Sequence, residues 1–154
     1  MSLQLVWFKR DLRSADHAPL VEAAARGPVL PLYVAEPAYW ALPDTSVRQW
    51  EAIAEGLHDL RQDLARLGQP LVVRTGDVIE VFQALHAGPG IAALWSHEET
   101  GNAWTYVRDK RVMAWARACG IAWHESPSGG VHRRLRTRAR WASAWEARIA
   151  PAPL

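Results

Sequence analysis

Residues 3–13 read Leu-Gln-Leu-Val-Trp-Phe-Lys-Arg-Asp-Leu-Arg, and the fold turns on how that stretch is read. Its apolar run, Leu5-Val6-Trp7-Phe8, stops abruptly at charge. Apolar side chains at consecutive positions suit a strand covered on both faces, as in the middle of a parallel sheet. Lys9, Arg10, Asp11 and Arg13 then fall just past the strand's carboxyl end. Ligands of open α/β sheets bind at that edge, so the charged exit is a candidate site.

Working outward, the chain alternates strand and helix patterns. Asp16 as cap and Pro19 in a first turn predict a helix to about residue 25. The apolar run 29–34 predicts a second strand. Residues 35–45, rich in Pro and aromatic side chains, predict a long loop of the functional kind. Ser46 and Gln49 form a capping-box pattern. Val47, Trp50, Ile53, Leu57, Leu60, Leu64 and Leu67 follow at helical spacing, and Gly68 and Pro70 end that helix. Residues 71–74, 91–95 and 121–125 predict three more strands. Asp77 with Glu80, and Asn102, cap the helices between them.

Five alternations argue for an α/β fold: a five-stranded parallel doubly wound sheet with right-handed crossovers, Rossmann-like. The expected strand order is 3-2-1-4-5, with the switch point between strands one and four. The exit of strand one then faces residues 97–102, and residues 35–40 flank them. The predicted cleft is lined by Phe8, Lys9, Arg10, Asp11, Glu36, Glu98 and Glu99. Mixed charge with aromatic neighbours suits a planar ligand with polar edges. The competing reading is a surface ion network among the same groups, which contributes little to stability.

Composition narrows the classes. The 154 residues suit one domain with a real core. Cys119 is the single cysteine, which excludes an internal disulfide and a Cys-rich metal centre. The six histidines show no metal-ligand spacing; His97, beside the cleft, reads as part of an ordinary polar loop. No apolar run approaches the ~20 residues of a membrane helix, so a soluble, cytoplasmic protein is expected. There is no Gly-x-Gly-x-x-Gly after strand one and no phosphate loop. Residues 126–154 hold six arginines against Glu146, whereas residues 1–125 are mildly acidic. The basic charge thus belongs to the tail. With Leu135, Trp141, Trp145 and Ile149, the tail reads either as an amphipathic helix over about 131–148 or as a nucleic-acid segment.

Trp7-Phe8-Lys9-Arg10-Asp11-Leu12-Arg13, followed by Asp16 and a helix, resembles the opening of the DNA photolyase and cryptochrome family. Arg48-Gln49-Trp50, Gly76, Arg108-Asp109 and Gly120-Ile121 fall in the family's order and spacing, so the resemblance covers essentially the whole chain. It implies an N-terminal α/β domain over residues 1–126, with residues 127–154 as a linker toward a helical FAD-binding domain that this chain lacks. It implies the same strand order and an antenna chromophore: a folate, a deazaflavin or a flavin. The turn Lys9-Arg10-Asp11-Leu12 matches the family turn lining the antenna pocket. Arg48 matches a position opening the helix beside it, and Arg108-Asp109 matches an internal pair read as structural. Folate-using members resembling bacterial photolyases carry Asn-Glu where this chain has Trp104-Thr105, which favours deazaflavin, flavin or an empty pocket. Trp40 and Trp104 lie near enough to stack on a chromophore; the tryptophans inside predicted strands and helices read as core.

For the complete protein the resemblance implies a deoxyribodipyrimidine photo-lyase, repairing cyclobutane pyrimidine dimers in damaged DNA with light, or a blue-light receptor. The chain alone is expected to be catalytically inert, with no catalytic residue and no metal. Two other readings stay open: a stand-alone nucleotide-binding or regulatory α/β module, and a scaffold without a ligand.

Overall fold

The computed structural model describes residues 3–131, 133 and 137–154. The sheet contains β1 (Leu3–Phe8), β2 (Val29–Ala35), β3 (Val72–Thr75), β4 (Ile91–His97) and β5 (Ala122–Ser126). All neighbours pair parallel, as the alternation of elements predicts, and in the expected order β3-β2-β1-β4-β5. β1 is central: Leu5 lies opposite Leu30 of β2 and Leu94 of β4.

The pleat sends successive side chains to opposite faces, and each face has its own core. Leu5, Trp7, Leu32, Val34 and Leu94 pack with Val78 and Phe82 of α4 (Val78–Ala87) and Val112 and Trp115 of α5 (Ala103–Ala118). Val6, Phe8, Tyr33, Ala35 and Trp95 pack with Ala23 of α1 (Ala18–Ala24) and Leu57, Leu60 and Leu64 of α3 (Val47–Arg66). The run Leu5-Val6-Trp7-Phe8 is therefore apolar throughout because both faces are covered.

Local rules place the ends. Ser46 accepts from the Gln49 amide, and the Gln49 side chain accepts from the Ser46 amide, closing the capping box of α3. Gly68, at φ +98°, turns the chain away after that helix. At α1 the expectation of an Asp16 cap is corrected. His17 is the cap, its Nδ1 accepting from the Leu20 amide at 3.1 Å, while Asp16 sits at φ +51°. A buried imidazole and a left-handed residue take the roles that composition assigns to one aspartate.

Residues 35–45 are also not a plain loop. Pro37–Trp40 forms one helical turn, α2, with Pro37 in the first turn where its missing N–H is no loss. β4 runs two residues past its expected end, to His97. In the tail, Arg138–Arg140 makes a 3-10 turn and Trp141–Ile149 forms α6; the expected contribution of Leu135 lies outside the described residues. Trp141 and Trp145 stack at 6.3 Å between ring centroids. The Trp141 indole donates to the Gly130 carbonyl at 3.2 Å. A Cβ on Gly130 would lie 2.2 Å from the Trp145 ring, so only glycine admits that indole.

Candidate functional site

The carboxyl ends of β1 and β2, together with α2, α3 and the start of α5, enclose a cavity of about 500 Å³. This volume falls in the range of small-molecule sites, roughly 300–1,000 Å³. The strands contribute Trp7, Phe8, Tyr33 and Val34, and the turn after β1 contributes Lys9, Arg10 and Leu12. Glu36, Tyr39 and Trp40 come from the α2 turn, and Gln49, Ala52, Ile53 and Gly56 from one face of α3. Glu99, Thr105 and Arg108 close the far side.

Aromatic rings meet along the rim, Trp40 edge to face with both Tyr39 and Trp50, and Tyr39 tilted against Trp104. Tyr39 lies 5.1 Å from Trp40 and 5.5 Å from Trp104, and Trp40 lies 5.1 Å from Trp50. Such contacts favour a fixed arrangement of the rings. Trp104 borders the cavity through Tyr39 rather than lining it.

The floor is ionic. Arg108 is buried and binds Glu36 at 3.0 Å, Asp109 at 2.9 Å and Glu99. Lys9, also buried, reaches Asp109 at 3.1 Å and the His97 carbonyl at 3.4 Å, with its ammonium 4.4 Å from the Trp7 ring centroid. Arg10 donates to the Tyr39 hydroxyl at 2.8 Å and lies 3.4 Å from Glu99. Burial pushes the Glu36 carboxyl up to about 6, against the opposing pull of Arg108. Burial lowers Lys9, with Asp109 opposing. Burial also pushes the Tyr33 phenol up to about 12, helped by Glu36. Three carboxylates around Arg108 outweigh its own burial and hold its charge firmly.

Asp11 points away from this cavity. Its Oδ2 lies 2.8 Å from His17 Nε2 and 2.6 Å from His97 Nδ1, and its Oδ1 accepts from the Lys9 amide at 2.9 Å. Burial alone would raise the Asp11 carboxyl; the His17 and His97 hydrogen bonds win and hold it well below the usual range. Burial lowers His17, with Asp11 opposing, and keeps it neutral. The three ligand-type atoms lie within 4.8 Å of one another. A metal does not fit: His17 Nδ1 already accepts from Leu20, so the neutral ring carries its proton on Nε2, facing Asp11. The cluster is a hydrogen-bonded clasp joining the β1 turn, α1 and the end of β4.

Seven of the residues singled out from sequence thus line the cavity: Phe8, Lys9, Arg10, Leu12, Glu36, Trp40 and Glu99. Asp11 and Glu98 instead line a smaller polar crevice between the exits of β1 and β4, with Lys9, Arg10 and Glu99 bordering both volumes. Arg48 lines neither and is exposed; its neighbour Gln49 faces the cavity. The reading of Arg108-Asp109 as structural is half the story, since Arg108 is also cavity wall. The reading of His97 as an ordinary polar loop residue is corrected, because β4 carries it into the clasp. Tyr33, Tyr39, Ala52, Ile53 and Thr105 were not legible as site residues. Positions 49, 52, 53 and 56, at helical spacing on α3, are the signal that locates that wall.

Known proteins bear on this geometry. The family model for DNA photolyase matches residues 4–139. The chain belongs to the DNA photolyase family. Its fold is that of the family's N-terminal α/β domain. The deoxyribodipyrimidine photo-lyase of Escherichia coli is 42% identical over 79 residues, covering 50% of this chain and 17% of that protein. Cryptochrome DASH of Gloeobacter violaceus is 37% identical over 101 residues, covering 62% of this chain and 20% of that protein. The chain therefore spans about a fifth of the length of these photolyase-family relatives. The crystal structure of an archaeal photolyase from Sulfolobus tokodaii with two FAD molecules superposes with a TM-score of 0.74. It is 19% identical and the match covers 99% of this chain and 36% of that one, a likeness in fold.

Proposed function

We propose that this chain is the light-harvesting domain of a photolyase-like protein and that its aromatic cavity holds an antenna chromophore, a deazaflavin or a flavin rather than a folate. One observation carries the reading: a roughly 500 Å³ cavity with Tyr33, Tyr39 and Trp40 on its walls and the Glu36–Arg108 pair on its floor. Flat rings suit the walls. The Glu36 carboxylate accepts from a ring N–H, and Arg108 donates to a ring carbonyl. The Sulfolobus tokodaii photolyase, whose two FAD molecules imply a novel light-harvesting cofactor in that protein, supports a flavin. Thr105 stands where folate-using members resembling bacterial photolyases carry the second residue of Asn-Glu, and a hydroxyl lacks the charge of that carboxylate.

In the full-length protein the domain passes excitation to a flavin in a further, helical domain, which repairs pyrimidine dimers in DNA or signals blue light. Residues 127–154 serve as the linker toward that domain. By itself the α/β domain is catalytically inert. No helix among the described residues is long and apolar enough to cross a membrane, which agrees with action in the cytoplasm.

Titration of the purified chain with a deazaflavin, FMN, FAD and a reduced folate, read by absorbance and by quenching of tryptophan fluorescence, tests the reading. Deazaflavin or flavin is expected to bind, and Ala52→Trp, which fills the cavity from α3, is expected to abolish binding without unfolding the domain. Binding of adenine nucleotide alone would favour a nucleotide-regulated module. Absence of any chromophore binding would favour a scaffold.

A further inference from the structure

We propose that the Asp11–His17–His97 clasp is a proton-operated latch: one proton taken from solvent by His17 undoes the clasp and the cap of α1 together, and frees the lip of the cavity while the sheet stays folded. The device does not depend on which ligand the cavity takes.

His17 has no spare atom for a proton. Its ring is fully buried, 4.6 Å from the Phe8 ring and 4.5 Å from the His97 ring. Nε2 donates to Asp11 at 2.8 Å, and Nδ1 accepts from the Leu20 amide at 3.1 Å. A second proton on the ring must go to Nδ1. There it meets the Leu20 N–H head-on, donor against donor. The cap of α1 is lost as the two separate, and a ring that turns away takes Nε2 off Asp11. The helix dipole also opposes a positive ring at the start of α1.

The surrounding charges do not offset the proton. Asp11 is the carboxylate that faces His17, and the same oxygen lies 2.6 Å from His97 Nδ1. Arg13 of the turn opposes a charge on His17, and so does His97 whenever it is itself charged. Asp16 is turned to the Leu154 amide, and Asp63 of α3 to Ser14 and Arg66. α1 carries no acid in its first turn. Burial adds to this and lowers His17. The proton is therefore taken by an open form of the clasp, not by the closed one.

The opening is local because the clasp lies past the ends of β1 and β4. Only residues 9–13 and the first turn of α1 need move; Ala23, further along α1, stays in its core. Such openings cost less than global unfolding. What is released is the lip: the Lys9 amide donates to Asp11 Oδ1 at 2.9 Å, and Lys9, Arg10 and Leu12 line the cavity. The side-chain bonds of Lys9 to Asp109 and of Arg10 to Tyr39 remain as tethers, so the lip loosens rather than leaves.

Amide hydrogen exchange tests this, followed by NMR at pH 7.5 and 5.5 in low urea and corrected for the intrinsic pH dependence of exchange. The Lys9 and Leu20 amides report the clasp and the cap directly. Both are expected to lose protection together, by up to about tenfold per pH unit below about pH 6.5, with no dependence on urea. Sheet amides are expected to exchange more slowly and to respond to urea. In His17→Asn, whose side chain caps a helix but takes no proton, Leu20 is expected to keep the same protection at both pH values. Lys9 and Leu20 amides that exchange only in step with the sheet, and with its urea dependence, overturn the latch, because the clasp then opens only when the whole domain does. Protection that ignores pH in the wild type overturns it too, as does a loss on acidification that persists at Leu20 in H17N.

Discussion

The turn after β1 faces two ways, and its two sides are built on opposite principles. On one side Lys9, Arg10 and Leu12 border a cavity whose rings and charged groups remain open to a ligand. On the other, Asp11 is closed: both its oxygens are occupied by His17, His97 and the Lys9 amide. A buried polar group stabilises a fold only when its bonds are made, and the Asp11 side meets that condition. The cavity side leaves groups exposed to something outside the protein. Adjacent residues thus divide between holding the turn and presenting it.

That contrast is broken most forcefully at Asp11. Removing its carboxylate strands two imidazole N–H groups and the Lys9 amide in a buried site. Each unsatisfied group costs about 1–3 kcal/mol, so Asp11→Ala is expected to lose on the order of 3–5 kcal/mol in urea denaturation. Changes on the cavity side are expected to cost much less in stability: Ala52→Trp should leave the denaturation midpoint nearly unmoved while abolishing ligand binding. A stable D11A variant would show that the clasp does not hold the turn.

A smaller effect sharpens the comparison through pH. His17 is neutral when folded, its pKa lowered by burial below the ordinary 6.5. Below that value the unfolded chain gains a proton that the folded chain refuses, so stability falls as pH drops through 6.5. The slope approaches about 1.4 kcal/mol per pH unit for one proton. Glu36 acts oppositely: with its pKa raised to about 6, it makes stability fall as pH rises from the ordinary carboxylate value toward 6. Comparing wild type with His17→Asn between pH 7.5 and 5.5 isolates the first term, because Glu36 is common to both. The variant is expected to be less stable at pH 7.5 and to show a shallower loss on acidification. Parallel profiles would mean that folding leaves the His17 pKa where it stands in the unfolded chain.

How much of this was legible in the sequence follows from the kind of interaction involved. The five strands and the helices between them were legible because apolar runs, caps and glycines act over a few residues, and Ser46, Gln49 and Gly68 behave as those rules require; the order of the strands was a choice among the few common doubly wound orders, which the family resemblance also implies. The charged exit of β1 was legible as the wall of a cavity because its place at the sheet's edge follows from topology. The clasp was not: His17 and His97 are far apart in sequence and meet only once β1 and β4 are paired. The α2 turn hid in a Pro-rich stretch that reads as loop. Arg108 looked structural because its neighbour Asp109 offers a partner, while its pairing with Glu36 spans most of the chain.

Arg48 gives the smallest expected effect and the cleanest separation of likeness from geometry. Family resemblance puts it near the chromophore; the structure puts its side chain in solvent on the first turn of α3, bordering neither volume. Its charge has no ion pair among the described residues. An exposed charge of this kind contributes within about 0.5 kcal/mol. Arg48→Ala is therefore expected to change neither the denaturation midpoint nor riboflavin affinity beyond error. Gln49→Ala, one residue along on the cavity-facing side, loses a wall contact and half of the capping box, and is expected to affect both. If R48A weakened the ligand and Q49A did not, the wall would be set by the position the resemblance marks, and the cavity would not be where the ring binds.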